Sequence, residues 1–245
     1  MMRYFLELAY RGAPFHGWQV QPGVVTVQST IEDALAKLVR RPVPIVGAGR
    51  TDAGVNARTM VAHLDLPDGF PADDRFLRSL NSICGRDIAF RSITPVAPDA
   101  HARFDATERS YRYFVHTAKN PFLGPLSWQA PPTLDFDAMN KAAATLLGRR
   151  DFTSFSKLHT DVKTNICDLR AARWVPIDGE RWYFEIVADR FLRNMVRAVV
   201  GTLVDVGRGK LDCAGLADIV AAKDRCAAGT SMPPEPLFLW DVKYQ

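Results

Sequence analysis

Short stretches of strand periodicity and helix periodicity follow one another along this chain, and neither runs long. That interleaving limits the fold more than any other feature. Arg3 to Tyr10 alternates and is rich in Tyr, Phe and Leu, which predicts a strand. Val27, Ile31, Ala34, Leu35 and Leu38 keep helical spacing, with Thr26 as N-cap and Pro42 just past the end. Val43 to Val46 and Met60 to Leu66 read as strands, Phe76 to Leu80 as a short helix begun by Asp73 or Asp74, and Ile88 to Ile93 as a strand. The order is β-α-β-β-α-β. After Pro95 a second series begins: strand Ser110 to His116, helix Ala138 to Leu147, strand Trp182 to Val187, helix Phe191 to Leu203, a helix around Leu216 to Val220 opened by Asp212, and a last strand Leu237 to Val242. The long alternation of a doubly wound parallel sheet is missing. The expected class is α+β: two ferredoxin- or RRM-like halves sharing a mostly antiparallel sheet. We expect them at residues 1–100 and 101–245, joined near 96–107.

Composition removes several classes. With 47% hydrophobic and 24% charged residues in 245, the chain is neither disordered nor fibrous. No apolar run reaches about 18 residues, and the charged amino terminus lacks a signal-peptide cleavage site. A soluble cytoplasmic protein is expected. Cys84, Cys167, Cys213 and Cys226 form no CxxC pair and no zinc pattern, so they read as buried thiols in a reducing compartment. The net charge is +4, and 23 of the 31 basic residues are arginine. Arginine binds phosphate bidentately and stacks on bases. The bias suits a nucleic-acid partner and equally a GC-rich genome.

The sharpest segment is Gly47-Ala48-Gly49-Arg50-Thr51-Asp52-Ala53-Gly54-Val55. Small residues let a backbone turn tightly and let a ligand come close, so Asp52 sits on a turn a substrate can reach, with Arg50 beside it. An ordinary turn with an Asx hydrogen bond explains the same residues. The Gly-Lys-Ser/Thr ending of a phosphate loop is absent. No second carboxylate or His is patterned near Asp52, which leaves a metal-dependent hydrolase without ligands.

The segment GRTDAGV resembles the catalytic loop of the TruA family of tRNA pseudouridine synthases. Further matches follow in order: Tyr10-Arg11-Gly12 with Gly17-Trp18-Gln19-Val20-Gln21, His101-Ala102-Arg103-Phe104 with Ala106-Thr107, Arg109-Ser110-Tyr111-Arg112-Tyr113, Asp151-Phe152-Thr153-Ser154-Phe155, Phe191 to Arg197, and Pro236 to Leu239. Three positions depart from the family pattern: Arg11 for Asp, Asn56 for His and Pro236 for Gly. The resemblance covers nearly the whole chain. It implies a pseudouridine synthase fold and isomerisation of uridine to pseudouridine on the 3′ side of the tRNA anticodon stem-loop. It also implies a homodimer with neither metal nor cofactor.

The resemblance implies residue roles as well. Asp52 is the nucleophile. Arg197 pairs with its carboxylate and keeps it ionised. Tyr111 stacks on the flipped base and helps remove the C5 proton, while Tyr113 is a core aromatic. Arg50 fills the gap left in the stem. His101 and Arg103 are RNA contacts, and a packed loop histidine fits His101 almost as well. Phe15, His16 and Trp18 could form a stacking platform or a dimer contact. The competing reading is a non-catalytic RRM-like RNA-binding protein, since Arg109 to Val115 superficially matches an aromatic RNP strand. Such a module has no need of GRTDAG.

Overall fold

The structure, a computed structural model, describes residues 1–157 and 164–245. The chain forms two compact units, Met1–Thr107 with Leu239–Gln245, and Glu108–Phe238.

In the first unit, strand β1 (Met2–Tyr10) buries Tyr4, Leu6, Leu8 and Tyr10, the alternate side chains a half-buried strand must hide. Helix α1 (Val27–Val39) buries Val27, Ile31, Ala34 and Leu35 along one side. Its N-cap is Thr26, which accepts from Ser29 N while Ser29 Oγ accepts from Thr26 N in a capping box. Strand β2 (Ile45–Gly47) and β3 (Asn56–Leu66) pair antiparallel, Ile45 opposite Leu64. Helix α2 (Asp74–Ile83) starts at Asp73, whose carboxylate accepts from Phe76 N, and buries Phe76 and Leu80. Strand β4 (Ile88–Pro95) closes the series. Both β3 and β4 run antiparallel to β1, with Leu6 facing Ala62 on one side and Ile93 on the other. Each fully buried Leu here contributes about 1.5–3 kcal/mol.

The second unit begins with β5 (Glu108–His116), followed by the two-residue β6 (Trp128–Gln129), helix α3 (Phe136–Ala144), β7 (Gly148–Asp151), β8 (Ile166–Pro176) and β9 (Arg181–Ala188). The order β5-β9-β8-β7 is antiparallel throughout, with the short β6 parallel to β5. Helix α4 (Met195–Gly207) is buried on nearly every side and packs against α3, with Gly207 against Met139 and Leu134. Helix α5 (Cys213–Ala222) is capped by Asp212. Strand β10 (Leu237–Lys243) comes last, and from Leu239 onward it counts with the first unit, beside β3.

The α+β class with antiparallel sheets is therefore present in each unit. Several elements differ from expectation. The helix read from Phe191 starts only at Met195, because Asn194 at φ 66° is left-handed and ends the irregular segment before it. Arg193 is thus off the helix; it is exposed, and its carbonyl accepts from Lys157 N. The α3 helix stops at Ala144, and the chain passes to β7 at Gly148, φ +88°. Two cysteines, Cys213 and Cys226, are exposed rather than buried. Burial pushes the Cys167 thiol up to about 12 and Cys84 up to about 11, so both stay protonated and unreactive at neutral pH.

Candidate active site

The Asp52 loop is built by two partners, the end of β2 and the segment after β1. At Gly47 the indole of Trp18 lies so close that a Cβ would meet its ring at 2.6 Å. Ala48 N then donates to Val61 O at 2.8 Å, and the chain turns. Val55 N returns to Asp52 O at 3.1 Å, with Gly54 at φ +80°. The N-terminal segment clamps this turn from outside. Trp18 N donates to Thr51 O at 3.1 Å, and the Tyr10 hydroxyl lies 2.8 Å from Thr51 Oγ1. Gly12 N donates to Asn56 Oδ1 at 2.8 Å. The two backbones approach closely enough that a Cβ at Gly12 would sit 2.2 Å from Val55 O, and one at Gly17, φ +87°, 2.7 Å from Thr51 O.

The result is a loop whose backbone is fixed on both sides of Asp52. Thr51 is buried, Asp52 is half-buried, and Arg50 and Ala53 are exposed. A carboxylate presented this way keeps access to a ligand while its main chain cannot drift. Trp18, 3% exposed, is buried against this turn, and Phe15 is buried as well. Burial leaves neither ring an exposed face to stack on, and only His16 of that trio is exposed. Asn56, where the family pattern has His, is the acceptor that ties Gly12 to the loop. Arg11 pairs with Asp87, Nε to Oδ1 2.9 Å, and the Pro236 carbonyl accepts from Phe114 N.

In the same unit, His101 organises a tight turn. Its Nδ1 accepts from Arg103 N at 3.1 Å and from Phe104 N at 3.3 Å, while its backbone N–H donates to Asp105 Oδ2 at 2.7 Å. Ala102 N donates to His63 Nδ1 at 3.1 Å. Burial first, then electrostatic interaction with His101 and with the Arg3 guanidinium, hold the His63 imidazole below its usual range. Arg103 is exposed and His101 half-buried. His63 was not singled out from sequence, because a histidine in a strand gives no pattern of its own.

In the second unit, Tyr111 lies on β5 opposite Ile186, half-buried, its ring edge-on to Phe191 at 5.0 Å between centroids. Tyr113 shares that strand face and is fully buried, as a core aromatic should be. Burial raises its phenol well above the ordinary value, although the Arg197 charge pulls the other way. Its hydroxyl has no hydrogen-bond partner among the described residues.

Arg197 stands in the first turn of α4. A cation there works against the helix dipole, so helix energetics alone do not account for it. Its Nε donates to Met232 O at 2.5 Å, and Met232 N donates back to Arg197 O at 3.2 Å. The segment carrying Met232 is strapped along α4. Gly201 makes room for the Thr230 carbonyl, Gly229 N donates to Thr202 Oγ1, and Asn194 and Arg225 both reach Ser231 Oγ. The strap fixes the direction of the guanidinium. Nothing in the sequence marked it. Of the expected site residues, then, Arg50 and Asp52 share one loop and His101 and Arg103 one turn of the first unit, while Tyr111 and Arg197 belong to the second. Among the described residues no group of three His, Cys, Asp or Glu could hold a metal ion. No helix among them is long and apolar enough to cross a membrane.

A family model described as tRNA pseudouridine synthase matches residues 142–245. A protein of Parabacteroides distasonis named tRNA pseudouridine synthase A is 57% identical over 245 residues, spanning 100% of this chain and 96% of its own. Proteins of the same name from Porphyromonas gingivalis and Geobacter sulfurreducens are 52% and 40% identical, covering 100% and 98% of this chain and 98% of each relative.

Proposed function

Because this chain belongs to the tRNA pseudouridine synthase A family and isomerises uridine to pseudouridine in tRNA, we propose that Asp52 is the nucleophile of that reaction. End-to-end similarity to synthases carries the functional reading. The clamped loop supports the residue assignment, since both sides of Asp52 are held by backbone and Tyr10, Gly12 and Trp18 all serve that one turn. The purely RNA-binding alternative is not favoured, because relatives matched over the full chain are named as enzymes.

The chemistry gives each residue a task. The C1′–N1 bond breaks, uracil rotates, and C5 bonds to C1′. C5 loses a proton and N1 gains one, so atoms and electrons balance with no co-reactant. A carboxylate at C1′ or C6 supplies the covalent or electrostatic help that breaking the glycosidic bond needs. A nearby cation favours the ionised carboxylate, and this is the part we give Arg197. A base inside a stem has to leave the stack, and Arg50, exposed on the Asp52 loop, fills its place with a planar guanidinium. Tyr111 stacks on the extruded uracil and relays the C5 proton. His101 and Arg103 contact the RNA. The targets are uridines on the 3′ side of the anticodon stem-loop, the enzyme works in the cytoplasm as a homodimer, and turnover needs neither metal nor cofactor. Unmodified tRNA transcripts carrying tritium at uracil C5 test this reading. Metal-free turnover, with release mapped to that stem-loop, is the expected result. Release confined to another arm overturns the target assignment.

A further inference from the structure

Phe104 is 75% exposed, at the tip of the His101 turn. A single exposed apolar side chain is ordinary. This one is unusual in how firmly it is held and in what stands around it. Its backbone N–H and that of Arg103 both end on His101 Nδ1. The turn is closed again by Asp105 N to His101 O at 3.0 Å, and by the Tyr244 hydroxyl to Ala102 O at 2.7 Å. One face of the Phe104 ring stacks on the His101 imidazole, centroids 4.2 Å apart and planes 29° apart. His101 in turn meets the His63 ring edge-on at 4.5 Å. Much of the rest of the Phe104 ring is exposed to solvent. The Arg103 guanidinium lies 5.8 Å from the ring centroid and is itself exposed.

A planar apolar face, rigidly backed and flanked by a guanidinium, suits a nucleotide. The base stacks on the ring and the phosphate meets the cation. The ligand must carry unpaired bases and negative charge, and tRNA offers both in its loops and at its end. We propose that Phe104 is a stacking platform for one unpaired nucleobase of the bound tRNA, with Arg103 on the adjoining phosphate. This rests on the isomerase reading only in taking tRNA as the ligand. It adds a base-binding contact made by a residue outside the set assigned to the chemistry.

The test compares the full-length protein with Phe104→Ala, Phe104→Leu and Phe104→Trp, measuring tRNA affinity, KM and kcat together. Because the ring is exposed, all three variants should melt near the wild-type temperature. We expect Ala and Leu to weaken tRNA binding by about 5- to 150-fold, the equivalent of ~1–3 kcal/mol per stacked base. The loss should fall on KM rather than kcat, and Trp should restore affinity. The salt slope of Phe104→Ala should match wild type, whereas that of Arg103→Ala should shrink by about one phosphate contact. Affinity of Phe104→Ala within twofold of wild type overturns the platform. So does a Leu variant as good as Phe, since Leu keeps the apolar bulk without the plane. A Phe104→Ala protein that loses oligomeric mass while each site binds tRNA normally makes the surface a protein contact instead. Wild-type tritium release, measured alongside, separates the two claims: absent turnover with a responsive Phe104 series counts against the isomerase reading alone, and normal turnover with a flat series against the platform alone.

Discussion

Tyr111 and Tyr113 lie two residues apart on one strand face, yet burial gives them opposite work. Tyr113 is sealed in, and Tyr111 keeps an accessible side against Phe191. Tyr111→Phe should therefore keep tRNA affinity, because the aromatic face survives, while tritium release from C5 collapses if the hydroxyl relays the proton. Near-normal release with Phe, and joint loss of binding and turnover with Ala, would leave Tyr111 a stacking residue only. His63 makes a second prediction. Its folded pKa lies below that of the unfolded chain, near 6.5, so the unfolded state binds the extra proton more readily. The stability it contributes is complete above about pH 6.5 and is lost as pH falls from there through the folded value. Urea midpoints should drop between neutral and mildly acid pH, and the drop should be smaller in His63→Asn. An equal drop in both proteins would remove His63 from the account. At this scale the sequence pointed to candidate side chains only through the family resemblance. It could not show that His101 Nδ1 ties two backbone amides, since a hydrogen bond inside a turn leaves no periodicity.

Among the elements, the clamp on the Asp52 loop makes the strongest demand. Gly12 and Gly17 both press backbone against backbone, and Gly17 is also left-handed. Gly12→Ala should cost about 1–3 kcal/mol and lower kcat, because the loop must move to admit the new methyl group. Gly23 provides the contrast: its φ is also positive, but nothing lies within 4 Å of the position of a Cβ. Gly23→Ala should lower the melting temperature slightly and leave kcat unchanged. A Gly12→Ala enzyme with wild-type kcat would show that the clamp does not position Asp52. From sequence, Phe15, His16 and Trp18 suited a stacking platform or a dimer contact, since close packing of one loop on another has no repeat to betray it. Caps were legible: Thr26, Asp73 and Asp212 stand where their side chains satisfy the first amides. Strand β8 was missed for a definite reason. A register shift between Leu169 and Ala171 moves the buried positions from Cys167 and Leu169 to Ala172 and Trp174, which breaks the alternation that would have marked it. Likewise, apolar spacing from Phe191 onward hid a left-handed Asn194 that delays α4.

For the molecule as a whole, the modest +4 charge means that binding depends on where arginines stand rather than on bulk attraction. Affinity for tRNA should still fall steeply with salt as phosphates are neutralised and counterions released. A flat salt dependence would contradict arginine-led phosphate contact. Light scattering without RNA should give twice the monomer mass, and a monomer that turns over normally would remove the homodimer from the proposal. The α+β class was legible because both hydrophobic periods are intact in most elements, and the β-α-β-β-α-β order is present in the first unit as read. The return of Leu239–Gln245 to that unit was not legible, since one short apolar strand carries no mark of its destination. The central claim is that Asp52 performs the isomerisation. Tritium release from C5-labelled tRNA should be complete with wild-type protein and indistinguishable from the enzyme-free rate with Asp52→Asn and Asp52→Ala, while both variants still bind the tRNA. Release by either variant at the wild-type rate would contradict it.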